Sequence, residues 1–338
     1  MDKKVTLRDI AKEANLSVSA VSLVLNHQPC RISLKNRELI CSIAQKKHYH
    51  ANQIARSLVT QRTRTLGLLL PDIENMFFSS LAKNLEENCR RENYALIITN
   101  TDDQYQNDRE LLQMLIARGV DGLFLIVSNE SYRDSSAIRR EISASPVPCV
   151  MVDRIYPDFP CSRVLFDNEQ GAYLAVKHLL RNGHRKIACV ANTRFSNNGL
   201  SRLNGYRNAM REFGCEIKSQ YIMEGDYHID SGYQAARRIR STDATAVFVC
   251  NDMMTLGMLK RFAEDGVQIP KDYSMVSYDN TPMFSLMSPQ ITAVEQDVTK
   301  LGNHAFRMML DMIDRKTDGP VEKVLMPELI LKDSVRAI

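Results

Sequence analysis

No apolar run in the 338 residues approaches the ~20 residues that a membrane-spanning helix needs. The amino end, Met1-Asp2-Lys3-Lys4 followed by a polar stretch, has no apolar core of a signal peptide, so the chain is expected to be cytoplasmic. The eight cysteines are scattered, with no Cys-x-x-Cys pair. Several lie in apolar runs such as Cys149-Val150-Met151-Val152 and read as buried, reduced thiols. Without ligand spacing, no metal site is expected. There is no G-x-x-x-x-G-K-[ST], no G-x-G-x-x-G and no G-x-S-x-G elbow. His178, His184, His228 and His304 stand apart from candidate nucleophiles, so neither an enzyme nor a cofactor is expected. No leucine heptad follows the strand-like run Lys323–Leu331, which argues against a helical tetramerisation tail.

What the chain does have is a sharply uneven charge. Residues 1–64 carry 12 Lys and Arg against 4 Asp and Glu, whereas the remainder carries 32 against 36. A small basic head on a mildly acidic body is the asymmetry expected when one end meets phosphate. Within that head, residues 6–26 read TLRDIAKEANLSVSAVSLVLN. The pattern predicts two short helices joined by a tight turn, with small Ala11 at their closest approach and Ile10, Leu16, Val21 and Leu25 on the apolar side. Ser17 is placed to cap the second helix. A third helix is expected from about Leu34 to Lys47, capped by Ser33 and turning Leu34, Ile40, Ile43 and Ala44 inward. This is the pattern of a helix-turn-helix, whose second helix enters the DNA major groove. The segment Asn52–Leu58 is helix-compatible but too short to be stable alone, and Thr60–Thr65 reads as a polar linker.

From Leu66 the texture changes. Strand-like runs at Leu66–Leu70, Ala95–Thr99, Gly122–Val127, Cys149–Val152, Arg163–Phe166, Lys186–Val190, Ala246–Cys250 and Ser274–Tyr278 alternate with helical stretches at Phe77–Arg91, Asp108–Arg118, Gln170–Arg181, Gly199–Phe213, Asp230–Arg240 and Met254–Asp265. Continuous apolar strands alternating with helices imply parallel sheets covered on both faces, and two successive sets imply two α/β subdomains. Asp and Asn crowd the strand ends, as in Asp153-Arg154, Asp167-Asn168, Asn251-Asp252 and Asp279-Asn280. Each alone reads as a helix cap. Jointly they mark the carboxyl ends of the strands, where ligands bind in such sheets.

These motifs (VTLRDIAKEANLSVSAVSLVLN, YHANQIARSL, SRLNGYRNAM, VFVCNDMMTLGML, VSYDN and TAVEQD) make the whole chain resemble the LacI/GalR family of bacterial transcription repressors, with the flavour of its ribose and purine branch. The resemblance implies a helix-turn-helix head (1–50), a hinge helix and linker (51–64), and a periplasmic-binding-protein-like core of two doubly wound parallel-sheet subdomains (65–338). Subdomain one would span about 65–162 and 294–322, subdomain two about 163–293 and 323–338. It further implies a homodimer on a pseudo-palindromic double-stranded DNA operator, a small-molecule effector and no membrane role. The family's DNA-contact positions fall on Thr6, Arg8, Ser17, Val18, Ser19, Ser22, Leu23, Asn26, Arg31, Asn52, Ala55, Arg56 and Leu58. Lys35 adds a further candidate phosphate contact. Val18, Ser19 and Leu23 are the implied base readers. Val18 and Leu23 offer a thymine only methyl contact, which requires both to be exposed. Leu58 corresponds to the leucine that the family wedges into the minor groove, with Ala51 standing where relatives often have proline.

The effector positions implied by the resemblance are Asn75, Phe77, Phe78, Asp153, Arg154, Arg202, Tyr227, Asn251, Asp279 and Gln296. Carboxylates, amides and guanidinium forks match sugar hydroxyls, and aromatic faces match a sugar's C–H side. The set favours a monosaccharide, ribose first. A purine- or other metabolite-responsive corepressor mode is the alternative, disfavoured because Ser196 and His228 occupy positions where the purine type carries Arg and Glu.

Overall fold

The structure, a computed structural model, describes residues 5–25, 29–47, 49, 62–194 and 196–338. The chain divides into two compact units, residues 1–63 and 64–338. In the first, helix α1 (Leu7–Ala14) opens on a reciprocal cap: Asp9 N donates to Thr6 Oγ1 at 3.4 Å and Thr6 N donates to Asp9 Oδ2 at 2.8 Å. It ends at Asn15 in the left-handed region (φ 54°), which reverses the chain into α2 (Val18–Leu25). Ser17 Oγ accepts from Ala20 N at 3.1 Å, the cap expected of it. Helix α3 (Leu34–Lys46) starts at Ser33, which accepts from Asn36 N. Ile10, Ala11, Ala14, Val21, Val24, Ile40, Ile43 and Ala44 form the head's core, flanked by partly buried Leu16 and Leu25. Leu34, expected inside, is 76% exposed. It is the first residue of its helix, and Arg37 closes that end instead, donating to the carbonyls of Cys30 and Ile32.

The second unit holds two six-stranded sheets. The first contains β1 (Thr65–Leu70), β2 (Ala95–Asn100), β3 (Gly122–Leu125), β4 (Cys149–Val152), β5 (Ser162–Phe166) and β11 (Glu322–Leu325) in the order β11-β5-β4-β3-β1-β2, all parallel. The second contains β6 (Ile187–Ala191), β7 (Ile222–Glu224), β8 (Ala246–Val249), β9 (Ser274–Tyr278), β10 (Thr292–Glu295) and β12 (Glu328–Ile330) in the order β12-β10-β9-β8-β6-β7. Only its β10–β12 pair is antiparallel. The helices are α4 (Met76–Arg91), α5 (Tyr105–Ala117), α6 (Ser136–Ser143), α7 (Asn168–Arg181), α8 (Asn197–Glu212), α9 (Ile229–Ile239), α10 (Asp252–Glu264) and α11 (Val298–Ile313).

The chain crosses between the two lobes three times: from β5 to α7, from β10 to α11, and from β11 to β12. Three expected boundaries therefore move. Residues 163–166 and 323–325 belong to lobe one, because β5 and β11 pair with each other at that sheet's edge, and residues 294–295 belong to lobe two, because β10 pairs with β9. The run Lys323–Leu331 is not one strand; Met326-Pro327 breaks it, since proline has no amide hydrogen for a ladder and restricts the residue before it. Four elements escaped the sequence reading: the short strands β7 and β10, and helices α6 and α11. The thiols also differ from expectation. Cys89, Cys149, Cys189 and Cys250 are buried, Cys30, Cys161 and Cys215 are partly so, and Cys41 is exposed.

Gly205 shows how closely α7 and α8 approach. A Cβ there would lie 2.1 Å from the Glu169 carbonyl oxygen and 2.8 Å from both Ala172 Cβ and Tyr173 N. Alanine in place of glycine ordinarily gains about 0.5–1 kcal/mol in a helix, whereas overpacking against atoms that cannot move aside costs about 1–3 kcal/mol. Gly205→Ala is accordingly expected to lower the thermal unfolding midpoint of the full chain; an unchanged or raised midpoint would contradict this close packing.

Candidate functional site

The first candidate surface lies on α2. Val18 is 41% exposed and Leu23 40%, and Ser19 is exposed beside them, with Ser22 half-buried on the same face. The apolar pair points outward because Val21 and Val24, one helical step away, fill the core. Thr6, Arg8, Ser17, Arg31 and Lys35 are also exposed. Asn26, Asn52, Ala55, Arg56 and Leu58, together with most of the expected hinge and linker, lie outside the described residues.

The second candidate surface is the cleft between the lobes of the larger unit. Asn75, Phe77, Phe78, Asp153, Arg154, Arg202, Tyr227, Asn251, Asp279 and Gln296, the ten positions picked from the sequence, all line one cavity of about 40 Å³, together with Asn198. The helices that start at strand ends are fixed by their caps. Asn75 Oδ1 accepts from Phe77 N, Asp167 Oδ1 from Gln170 N, Ser196 Oγ from Gly199 N, and Asn251 Oδ1 from Met254 N. Asn75 and Asn251 are thus caps and cleft residues at once. The remaining amide of Asn251 donates to the Tyr227 carbonyl at 3.0 Å.

Three cleft residues sit at positive φ: Asp153 at 60°, Tyr227 at 71° and Asp279 at 67°. Left-handed backbone at a bulky residue is uncommon and costs about 1–3 kcal/mol, so it persists where the surroundings over-determine it. Here the turns direct two carboxylates into the cleft. Arg202 lies over the Tyr278 ring at 3.7 Å, donates through Nε to Asn168 Oδ1 at 2.7 Å and through Nη1 to the Cys250 carbonyl, and pairs with Asp279 at 3.8 Å. Arg154 lies over Phe78 at 5.1 Å and donates to Asp103 Oδ1 at 2.6 Å. Asn198 donates to Asp153 at 3.3–3.4 Å, and Gln296 to Asp279 Oδ1 at 2.6 Å. Phe78 belongs to the lobe-one core and still underlies Arg154, whereas Phe77 only packs against that core.

Burial dominates the protonation of this site. It pushes Asp153 up to about 6, against the opposing pull of Arg202 and Arg154. Burial and then the neighbouring Asp279 charge push Asp252 up to about 7, and Asp279 is raised as well, again by burial first. Beside the small cavity opens a chamber of about 410 Å³ that shares Phe77, Asp279 and Gln296 and adds Asp252, Glu295 and Asp297.

Sequence reasoning did not assign a role to Asp103, Asn168, Asn198, Asp252 or Tyr278. The polar strand ends Asp167-Asn168 and Asn251-Asp252 carried a signal. The pairing of Asp103 with Arg154 carried none, because 51 residues separate them. His184, to which the sequence assigned no role, is fully buried against Thr245 Oγ1, Ser274 Oγ and the Arg336 carbonyl, and ties the carboxyl-terminal segment to lobe two.

Residues 6–52 match the family described as "Bacterial regulatory proteins, lacI family", and residues 176–335 match a "Periplasmic binding protein-like domain". The chain is 31% identical over 335 residues to the HTH-type transcriptional repressor PurR of Vibrio vulnificus (98% of this chain, 99% of the relative). It is 32% identical over 316 residues to catabolite control protein A of Priestia megaterium (93% and 94%). Among solved structures, the lac repressor dimer bound to operator and the anti-inducer ONPF matches at TM-score 0.87, with 25% identity over 99% of this chain and 100% of that one. A LacI family regulator from Enterococcus faecalis with bound ribose matches at 0.72, with 30% identity over 81% and 99%.

A carboxyl whose folded-state pKa lies above its unfolded value takes up its proton in the folded state first. Stability is then highest near the ordinary carboxylate range and falls as pH rises toward about 7. Asp252→Asn removes one such carboxyl. It should raise the ligand-free unfolding midpoint at pH 8 by at least the ~2–4 °C that one kcal/mol produces in a domain of this size, and should flatten the fall between pH 5 and 8. Equal midpoints for both proteins across that range would show that Asp252 is not held against its charge.

Proposed function

The chain belongs to the lacI family of bacterial regulatory proteins and is a DNA-binding transcriptional repressor; on that premise we propose that it binds a palindromic operator as a homodimer and releases it when a monosaccharide, ribose first, occupies the inter-lobe cleft. The enzyme alternative falls, since the matched relatives are regulators. The observation that carries the effector reading is the convergence of buried Asp153, Arg154, Arg202 and Gln296, with partly buried Asp279, on one cavity. Such a set pairs with a ligand whose every hydroxyl both donates and accepts, and rejects one that leaves the charges unsatisfied. A ribose-bound relative at 30% identity supports the same choice.

On the DNA side, the proposal places α2 in the major groove, with Val18 and Leu23 touching thymine methyls and Ser19 a base edge. Arg8, Arg31, Lys35 and Arg56 would meet phosphates, and Leu58 would serve as a minor-groove wedge. The action of the sugar follows from unequal affinity for two states: it favours the one that holds DNA less tightly. Corepression by a purine is the second reading, favoured by identity to PurR over 98% of the chain. Against it, His228 is exposed, and Ser196 is committed to Tyr227 Oη and to capping α8.

Gel-shift titration of the chain's own promoter region, with and without ribose, tests this. Ribose is expected to weaken the complex, and Arg202→Ala to raise the ribose needed by at least about 30-fold, the factor for truncating one partner of a buried charge pair. A complex indifferent to pentoses and hexoses but tightened by hypoxanthine or guanine would replace the sugar with the purine reading.

A further inference from the structure

Arg154 is 7% exposed and lines the inner cavity of the cleft, but its charge is met from behind. Nη1 donates to Asp103 Oδ1 at 2.6 Å and to the Val127 carbonyl at 3.3 Å. Asp103 is not among the residues that line the cavity. It is nonetheless fixed firmly. Its carboxylate accepts from Asn129 N at 2.9 Å and from Asn129 Nδ2 at 2.8 Å, and its own amide donates to the Pro71 carbonyl at 2.9 Å. Asp102 and Asp103 stand side by side in the left-handed region, at φ 52° and 56°. Backbone of that kind is strained at a residue with a side chain and persists where its surroundings over-determine it. The turn after β2 thus holds one carboxylate in a single place, behind the guanidinium.

The consequence is electrostatic. Each guanidinium of the cleft has a carboxylate beside it, Asp103 on Arg154 and Asp279 on Arg202. Asp153 also lines the cavity, where it accepts from Asn198 at 3.3–3.4 Å. Around the two cations there are thus three carboxylates. An anionic ligand would add a further negative charge, and like charges brought together in a desolvated site are strongly unfavourable. A neutral ligand meets guanidinium N–H groups whose charge is balanced, and its hydroxyls can accept from them. Without Asp103, Arg154 would be a buried cation short of a partner, the condition that recruits an anion.

Resting on the reading of the cleft as a sugar site, we propose that Asp103 is a specificity-determining residue: acting through Arg154, it restricts the effector to neutral sugars and excludes their phosphate and carboxylate forms. The regulator thereby responds to the free sugar and ignores its phosphorylated and oxidised derivatives.

Calorimetric titration of the full-length protein compares ribose, ribofuranuronic acid and the carboxamide of that acid. The pH is 8, above the value of about 6 to which Asp153 is raised. Acid and amide have nearly the same shape and differ by one charge. The unaltered protein is expected to bind the amide about tenfold or more tighter than the carboxylate. In Asp103→Asn, which keeps a side-chain acceptor for Asn129, the carboxylate should bind about tenfold or more tighter than it does to the unaltered protein. Asp103→Ser, smaller and equally uncharged, should gain in the same sense. The gain should vanish when Arg154→Gln is added to either variant. A merely structural role for Asp103 would weaken all three ligands together. No gain of carboxylate binding in either variant, or a gain that survives Arg154→Gln, overturns the proposal while ribose binding leaves the sugar reading standing. If the unaltered protein binds acid and amide alike, the proposal is likewise overturned. If ribose, acid and amide all fail to bind, the sugar reading fails and the proposal fails with it.

Discussion

The larger unit is organised around a buried guanidinium. Arg202 is 4% exposed, so its charge must be met by protein. The Tyr278 face, the Asn168 side chain, the Cys250 carbonyl and Asp279 meet it from three separate segments of lobe two. None of these partners can move without stranding a charge, and loss of one partner from a buried pair costs about 3–5 kcal/mol. Asp279 and Asp153 reach the cleft only because each holds a left-handed backbone conformation. Arg154 repeats the device in lobe one, with Phe78 beneath it and Asp103 at its fork. Each lobe thus contributes its own supported cation, and the carboxylates fall between the two.

Such a site is poorly satisfied by itself. Asp153, Asp252 and Asp279 all hold protons more tightly than ordinary carboxyls, with burial as the first cause. The proposed polyhydroxylated ligand would supply donors where they are missing, and would do so across the seam. Phe77, Asp153 and Arg154 belong to one lobe and Arg202 and Asp279 to the other, with Gln296 on the crossing from β10 to α11. Binding energy is therefore spent on the relation between the lobes, which is the variable that a two-state regulator needs to control. Three short crossings permit that relation to change without unfolding either sheet.

Much of this was legible in the residues. The head's capping signals, Ser17 and Ser33, act locally, and the structure shows each hydrogen bond. The exposure of Val18 and Leu23 followed from assigning the core to their neighbours. The parallel lobes were readable from apolar runs such as Leu66–Leu70, since a strand buried on both faces needs no alternation. What failed was of another kind. Leu34 was counted as core by its place in an apolar rhythm, but at the first turn of a helix the rhythm has no partner to face. β10 and β7, at four and three residues, are too short to carry a pattern, and β11 and β12 were fused because two lobes cut one apolar run at Pro327. In the cleft, the family resemblance and the polar strand ends pointed to residues that line the cavity, but not to the pairings that hold them. Asp103 behind Arg154 and Asn168 behind Arg202 are meetings between segments 51 and 34 residues apart in the chain.

The account stands on an energetic link between the inter-lobe cleft and the grip of the head on DNA. Linkage makes that reciprocal: a ligand that weakens DNA binding by some factor must itself bind the DNA-bound protein more weakly by the same factor. The direct measurement is the ribose affinity of the full-length protein, alone and saturated with operator duplex, beside the operator affinity with and without saturating ribose. The two ratios are expected to agree and to lie in the range of about 5–150 that couplings of 1–3 kcal/mol produce. Ribose binding with the same affinity whether or not the operator is present would contradict the account.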